Sequence, residues 1–78
     1  MPTIWRSGGF RFVIWPEDHS PPHVHVFRAG LEIVVNLETE LPYVRDNYGM
    51  RQSDERAALL IAALNRQAFL ARWKEING

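Results

Sequence analysis

Alternating apolar and polar residues predict two β-hairpins in the first half of the chain. The first joins residues 1–6 to residues 10–15 through a serine–glycine–glycine turn, and glycine adopts positive φ angles there without strain. The second joins residues 23–28 to residues 31–38 through Ala29-Gly30. A two-residue turn at Ala29-Gly30 aligns the apolar residues of both strands without adjustment, which favours that register.

The register of the first hairpin has two solutions. A two-residue Gly8-Gly9 turn sets Arg6 opposite Arg11, and like charges placed directly opposite each other destabilise a sheet. A three-residue turn instead places Trp5 opposite Arg11, where an arginine can stack on an aromatic ring. We therefore expect the three-residue turn.

The second half of the chain predicts an irregular connection followed by one helix. Residues 39–51 contain proline, asparagine and glycine and show no clear periodicity, so we expect a long loop there. Residues 53–76 form the predicted helix, with Ser53 as N-cap, two acidic residues in the first turn and Asn77-Gly78 as the stop.

Two apolar stripes run along this predicted helix, although a helix packed on one sheet needs only one. The first stripe comprises Ala57, Leu60, Ile61, Leu64, Ala68 and Ala71. The second comprises Leu59, Ala62, Phe69, Leu70 and Trp73. We expect the first stripe to pack on the sheet, and either the 39–51 connection or another chain to cover the second.

The predicted fold is α+β: a single domain over residues 1–78, with about four antiparallel strands and one C-terminal helix (ββββα). The helix is expected to pack against the covered face, lined by Ile4, Phe10, Phe12, Ile14, Val24, Val26, Leu31, Ile33, Val35 and Leu37. The opposite side is called the histidine face below, and its expected residues are Trp5, Arg11, Val13, Trp15, His23, His25, Phe27, Glu32, Val34 and Asn36.

Composition narrows the classes of function only slightly. The chain has no cysteine, which excludes disulfide bonds and thiolate metal sites. Nine basic residues balance nine acidic ones, so net charge gives no reason to expect nucleic acid as a ligand. The longest apolar run is far shorter than the roughly 20 residues that cross a membrane, so we expect a soluble, cytoplasmic protein.

The histidines are the main candidates for chemistry. The second hairpin places His23 opposite Asn36 and His25 opposite Val34, so both imidazoles leave the same face of the sheet. A structural role, stacking on aromatic rings or bonding across the sheet, is one interpretation. A second is a divalent metal site, for zinc or iron, made by His19, His23 and His25, with Glu17 or Asp18 as other sources of a third ligand from the loop.

A third interpretation is acid–base catalysis. Histidine titrates near neutral pH, so His23 and His25 could act as the acid–base pair of a ribonuclease or other phosphodiester hydrolase. Arg11 would then contact the phosphate and stabilise the charge that develops on it.

Several motifs give the chain a family resemblance. The segments MPTI, GGFRF, EDHSPPHVHV and LEIVVNLE, together with the late Trp73, resemble the small prokaryotic family called domain of unknown function 4160 (DUF4160). The matching positions are Gly9, Phe10, Phe12, His19, Pro21, Pro22, His23, Val24 and His25. The resemblance implies membership in a toxin–antitoxin-like pair with a small partner protein, and it carries no catalytic residue over.

Three functions therefore stay open. The leading hypothesis is a component, as toxin or antitoxin, of such a pair, which binds its partner protein and acts on RNA through the histidine face. The alternative is a metal-binding module. A third is a non-enzymatic domain that forms homo-oligomers through Leu59, Phe69 and Trp73.

Overall fold

A computed structural model describes residues 3–78 as a five-stranded antiparallel sheet followed by two helices. The strands follow one another across the sheet in chain order, so each pairs with the next. The elements are β1 (Thr3–Ser7), β2 (Phe10–Val13), β3 (His23–Arg28), β4 (Leu31–Asn36), β5 (Tyr43–Tyr48), α1 (Gln52–Leu64) and α2 (Arg66–Asn77). The α+β class is confirmed; the first two residues of the predicted first strand lie outside the described part.

The fifth strand corrects the prediction of four strands and of a loop over residues 39–51. β5 pairs with β4 at the edge of the sheet, and only Val44 and Asp46 of its residues are partly buried. The sequence of β5 is mostly polar, so apolar alternation does not reveal it. Its backbone is stabilised by hydrogen bonding to β4, and Asn47 closes the next turn by bonding the backbone N–H and C=O of Met50.

The first hairpin adopts the register that the like-charge rule disfavours. Arg6 lies opposite Arg11 and Trp5 lies opposite Phe12, and an irregularity between Thr3 and Trp5 then brings Thr3 opposite Val13. The predicted three-residue turn is therefore wrong. The two arginines are tolerated because Arg6 is exposed, while the Arg11 guanidinium lies 5.0 Å from the centroid of the Phe27 ring.

The second hairpin has the predicted register throughout. Val24 pairs with Val35 and Val26 with Ile33, and these residues are buried on the covered face. Ala29 has a φ of 51° and Gly30 a φ of 80°, values that fit a tight two-residue hairpin turn.

Two helices replace the single predicted helix because the chain leaves helical geometry at Asn65. Its φ of −113° and ψ of 15° end α1, and its side-chain amide donates to the carbonyl of Ile61 at 2.8 Å. Asparagine side chains compete with backbone groups for hydrogen bonds in this way. Arg66 begins α2 and anchors it to the sheet through a 2.9 Å hydrogen bond from Nε to the carbonyl of Leu37.

The helices pack on the sheet through the opposite stripe from the one expected. Phe69 and Trp73 are 1% and 7% exposed and belong to the core, whereas Leu60 and Leu64 are 62% and 77% exposed. The second stripe thus covers the sheet and much of the first faces outward. A homo-oligomer contact through Phe69 and Trp73 is incompatible with their burial within one chain.

The core lies between the covered face and the helices, and its buried members are Phe10, Phe12, Ile14, Val24, Val26, Ile33, Val35, Leu37, Met50, Ala58, Ala62, Phe69 and Trp73. Two residues depart from the faces predicted for them. Leu31 was expected on the covered face but is exposed. Trp5 was expected on the histidine face, but its ring lies 6.2 Å from that of Phe69, on the covered side. Within residues 3–78, no helix is long and apolar enough to cross a membrane.

Candidate metal centre

The loop between β2 and β3 places Asp18 next to the histidine face. Trp15 and Asp18 close a four-residue turn, with Pro16 second and Glu17 third at a φ of 66°. Proline followed by a residue with positive φ is the pattern of a type II turn. The Trp15 N–H also donates to Asp18 Oδ2 at 3.2 Å, and the Asp18 N–H donates to Oδ1 of Asn77 at 3.0 Å. Asp18 is therefore held through its carboxylate by Trp15 and through its backbone N–H by Asn77.

Strand β3 presents His23 and His25 side by side. They are two residues apart on one strand, so their side chains share a face, and their ring centroids are 5.2 Å apart. His23 is 3% exposed, and its ring lies 5.0 Å from that of Trp73 in α2. His25 is partly buried, with the exposed Trp15 ring 6.5 Å away.

The Nε2 atoms of both imidazoles converge on one carboxylate oxygen. Asp18 Oδ2 lies 3.4 Å from Nε2 of His23 and 3.4 Å from Nε2 of His25. The three residues can each offer a donor atom such that all three atoms lie within 4.8 Å of one another. Asp18, His23 and His25 are called the triad below.

The other nitrogen of each imidazole identifies where its proton resides. His23 Nδ1 lies 2.9 Å from the carbonyl oxygen of Pro21, and His25 Nδ1 lies 2.8 Å from Oε2 of Glu32. Carbonyl and carboxylate oxygens only accept, so both Nδ1 atoms carry hydrogen. When such an imidazole is neutral, its Nε2 atom carries a lone pair. In both residues the Nε2 atom faces Asp18.

Burial favours the neutral form of His23. Desolvation lowers the pKa of His23 below its ordinary value of 6.5, and the charges of Arg45 and His25 lower it further. The hydrogen bond to Pro21 and the charge of Asp18 oppose this shift without cancelling it. At neutral pH the lone pair of His23 therefore faces a carboxylate, an arrangement that is repulsive unless a cation lies between them.

Unpartnered polar atoms collect around the triad. Among residues 3–78, three buried side-chain atoms have no hydrogen-bond partner: Nε2 of His25, Oδ1 of Asn36 and Nδ2 of Asn77. Asn36 is the cross-strand partner of His23, and Asn77 bonds the backbone of Asp18. Buried polar groups are almost always satisfied, so their concentration here points to a bound ion or bound water.

The structure brings together some of the residues proposed from the sequence and separates others. His23 and His25 meet as expected, and Asp18 is the loop residue that joins them. His19 is exposed and lies outside the triad. Arg11 is directed to other partners: it stacks on Phe27 and donates to Thr3 Oγ1 at 3.4 Å.

Glu32 is the site residue that sequence reasoning assigned to the histidine face without giving it a role. The predicted register already set Glu32 opposite Phe27, one row from His25, and the structure has that pairing. Diagonal neighbours of this kind lie within reach of a long side chain. The predicted position of a carboxylate one row from His25 was therefore the feature of the sequence that could have identified Glu32 as a site residue.

The fold and the triad together define a small α+β protein that carries a two-histidine, one-carboxylate cluster on its sheet. A profile of the family described as Domain of unknown function (DUF4160) matches residues 9–74. The chain belongs to this family, as its motifs indicated. No curated protein and no solved structure matched the chain. The family description names no activity, so function must be inferred from the site.

Proposed function

We propose that this protein binds one divalent transition-metal ion, with zinc as the best fit, through Asp18, His23 and His25. The observation that carries the proposal is the convergence of the Nε2 atoms of both imidazoles on Asp18 Oδ2 at 3.4 Å each. Two donor atoms bound about 2.1 Å from a tetrahedral ion are separated by roughly 3.4 Å. Both Nε2–Oδ2 separations therefore fit two edges of a zinc coordination polyhedron.

The donor set supports a transition metal rather than calcium or magnesium. Imidazole nitrogen suits zinc, iron, copper and nickel, whereas calcium and magnesium are bound by oxygen. Two histidines and one carboxylate are a known set for zinc enzymes and for non-haem iron. The absence of cysteine leaves histidine and carboxylate as the available strong ligands.

The residues behind the triad support the same proposal. Histidine ligands of metals usually donate their second N–H to a carboxylate or a backbone carbonyl, which fixes the tautomer and orients the ring. Glu32 fills this role for His25, and the Pro21 carbonyl fills it for His23. A histidine pair with a purely structural role would not need both Nε2 atoms to face one acceptor.

Three protein ligands leave a position for water, as in catalytic zinc sites, and bound zinc lowers the pKa of such a water. Hydrolysis, which the sequence suggested for a free histidine pair, is better supported with a metal. His23 is buried and neutral, and Arg11 is directed elsewhere, so metal-free acid–base catalysis has less support. The partner protein, RNA and the toxin–antitoxin-like role remain predictions.

Metal titration tests the proposal. Protein purified without a polyhistidine tag and treated with chelator should bind one zinc ion per chain in a calorimetric titration. Free zinc at 100 times Kd should add about 2.7 kcal/mol to the free energy of unfolding. For a domain of this size the melting temperature should then rise by roughly 10–20 °C.

Matched variants locate the ion. His25→Gln and Asp18→Asn should abolish the zinc-induced rise in melting temperature, while His19→Gln should retain it because His19 lies outside the triad. Glu32→Gln should weaken zinc binding by about 10–100-fold. Zinc well below one equivalent, or equal loss in His19→Gln and His25→Gln, would contradict the assignment.

A further inference from the structure

An arginine on β5 lies within electrostatic range of the proposed metal centre and is not one of the three residues that form it. Val34 pairs with Asp46 while the next residue, Val35, pairs with Val44, so Arg45 is the extra residue of a β-bulge. Bulges re-aim side chains and are common next to active sites. This one occurs in the only part of the β4–β5 ladder that departs from regular pairing within the described residues.

The bulge belongs to the same cross-strand row as His25. Val13, His25, Val34 and Asp46 lie opposite one another on four adjacent strands. Side chains in such a row emerge on one face of the sheet. The charge of Arg45 also reaches His23, where it contributes to lowering the pKa. Arg45 is thus close enough to the triad for its charge to act on His23.

The Arg45 guanidinium is available to a ligand. Its ion pair is with its neighbour Asp46, from Nε to Oδ2 at 3.2 Å, and the two side chains are 39% and 44% exposed. Exposed pairs of this kind are worth about 0–1 kcal/mol, so a better-placed anion displaces the carboxylate easily. Arginine binds carboxylate and phosphate oxygens through two parallel N–H donors.

We propose that the open position of the metal and the Arg45 guanidinium together bind a small oxyanion, with phosphate-bearing compounds as the ligand class. This inference rests on the proposed metal site and adds the ligand that the site takes. One oxygen of the anion occupies the open coordination position and others accept from Arg45. The unpartnered Asn36 Oδ1, beside His23, is placed to accept a hydrogen from a ligand hydroxyl or a metal-bound water.

Cobalt(II) substitution gives the test, because its visible absorption reports both metal binding and changes in coordination. Cobalt-loaded protein should show a saturable spectral change on titration with inorganic phosphate. Arg45→Gln should still bind one cobalt ion per chain, and it should bind phosphate at least 10-fold more weakly. Arg51→Gln is the matched control, since Arg51 is highly exposed and pairs with Asp54 instead, and it should behave as wild type.

The outcomes separate the two proposals. Failure to bind cobalt overturns the metal site, and the anion site with it. Cobalt binding without a phosphate response, or with equal phosphate affinity in Arg45→Gln, overturns the anion site and leaves the metal site standing. Acetate in place of phosphate distinguishes the ligand class: a comparable, Arg45-dependent response overturns the assignment to phosphate, and a phosphate-selective response supports it.

Discussion

The two faces of the sheet bury side chains in opposite ways. The covered face meets the helices with apolar groups, and Phe12, Val26 and Val35 are completely buried there. The histidine face buries the apolar Val13 and Val34 too, but it also buries His23 and Asn36 nearly as deeply, and polar atoms without partners occur beside them. Burying an unpaired polar group costs free energy, whereas burying an apolar group releases it. The covered face therefore only stabilises the fold, whereas the histidine face also carries an energetic deficit that a ligand can remove.

The largest expected effect concerns the covered face. Phe69→Ala removes a ring that packs against Phe12 and Trp5, and it should lower the free energy of unfolding by about 3–5 kcal/mol in urea titrations. Phe69→Leu should cost less than about 1.5 kcal/mol, which keeps the comparison measurable if the alanine variant does not fold. A loss below 1 kcal/mol for Phe69→Ala would contradict its place in the core.

The elements that were predicted correctly from the sequence are those that residues close together in the chain determine. Period-two alternation and the Ala29-Gly30 turn determine the β3–β4 register, and that register places His23 and His25 on one face. Sequence reasoning failed where tertiary context decides. β5 is polar and depends on pairing with β4, and the break at Asn65 is accompanied by a bond from Arg66 to the distant Leu37 carbonyl.

The candidate site shows the same division. The period-two alternation of β3 predicts that His23 and His25 share a face. The third member of the triad could not be predicted in this way, because it depends on the conformation of the loop over residues 16–22. Asp18 and His19 are adjacent, and contacts with Trp15 and Asn77 hold Asp18, which is the one that reaches the histidines. Asn77 is far away in the sequence, so spacing alone could not distinguish Asp18 from His19.

A smaller effect tests the electrostatics of the histidine face in metal-free protein. Burial lowers the pKa of His23 in the folded state below its unfolded value near 6.5, so the unfolded state binds more protons between the two values. Stability should therefore fall as pH drops below about 6.5, with a contribution from His23 of at most about 1.4 kcal/mol per pH unit. Below the folded pKa this contribution should level off.

Urea titrations from pH 8 to pH 5 with chelator present measure this slope. Asp18, His25 and Arg45 also act on His23, and they remain in His23→Gln, so the difference between the two proteins isolates His23. His19→Gln is the matched histidine control, since His19 is exposed and lies outside the triad. An unchanged slope in His23→Gln would show that burial does not favour the neutral imidazole.

The smallest expected effect is the change in stability on replacing Asn36. It tests most directly whether the histidine face carries unsatisfied polar groups that the covered face lacks. Asn36→Leu removes the unpartnered Oδ1 together with a 3.0 Å hydrogen bond to Tyr43, whose hydroxyl still donates to Glu38. Metal-free Asn36→Leu should be as stable as wild type or more stable by up to about 1 kcal/mol, because an unsatisfied buried group is lost. Val35→Asn is the control on the covered face, where a new unpaired amide should cost about 1–3 kcal/mol. Equal destabilisation by the two variants would mean that Asn36 already has a full set of partners, and the energetic deficit of the histidine face would have to reside in His25 and Asn77 alone.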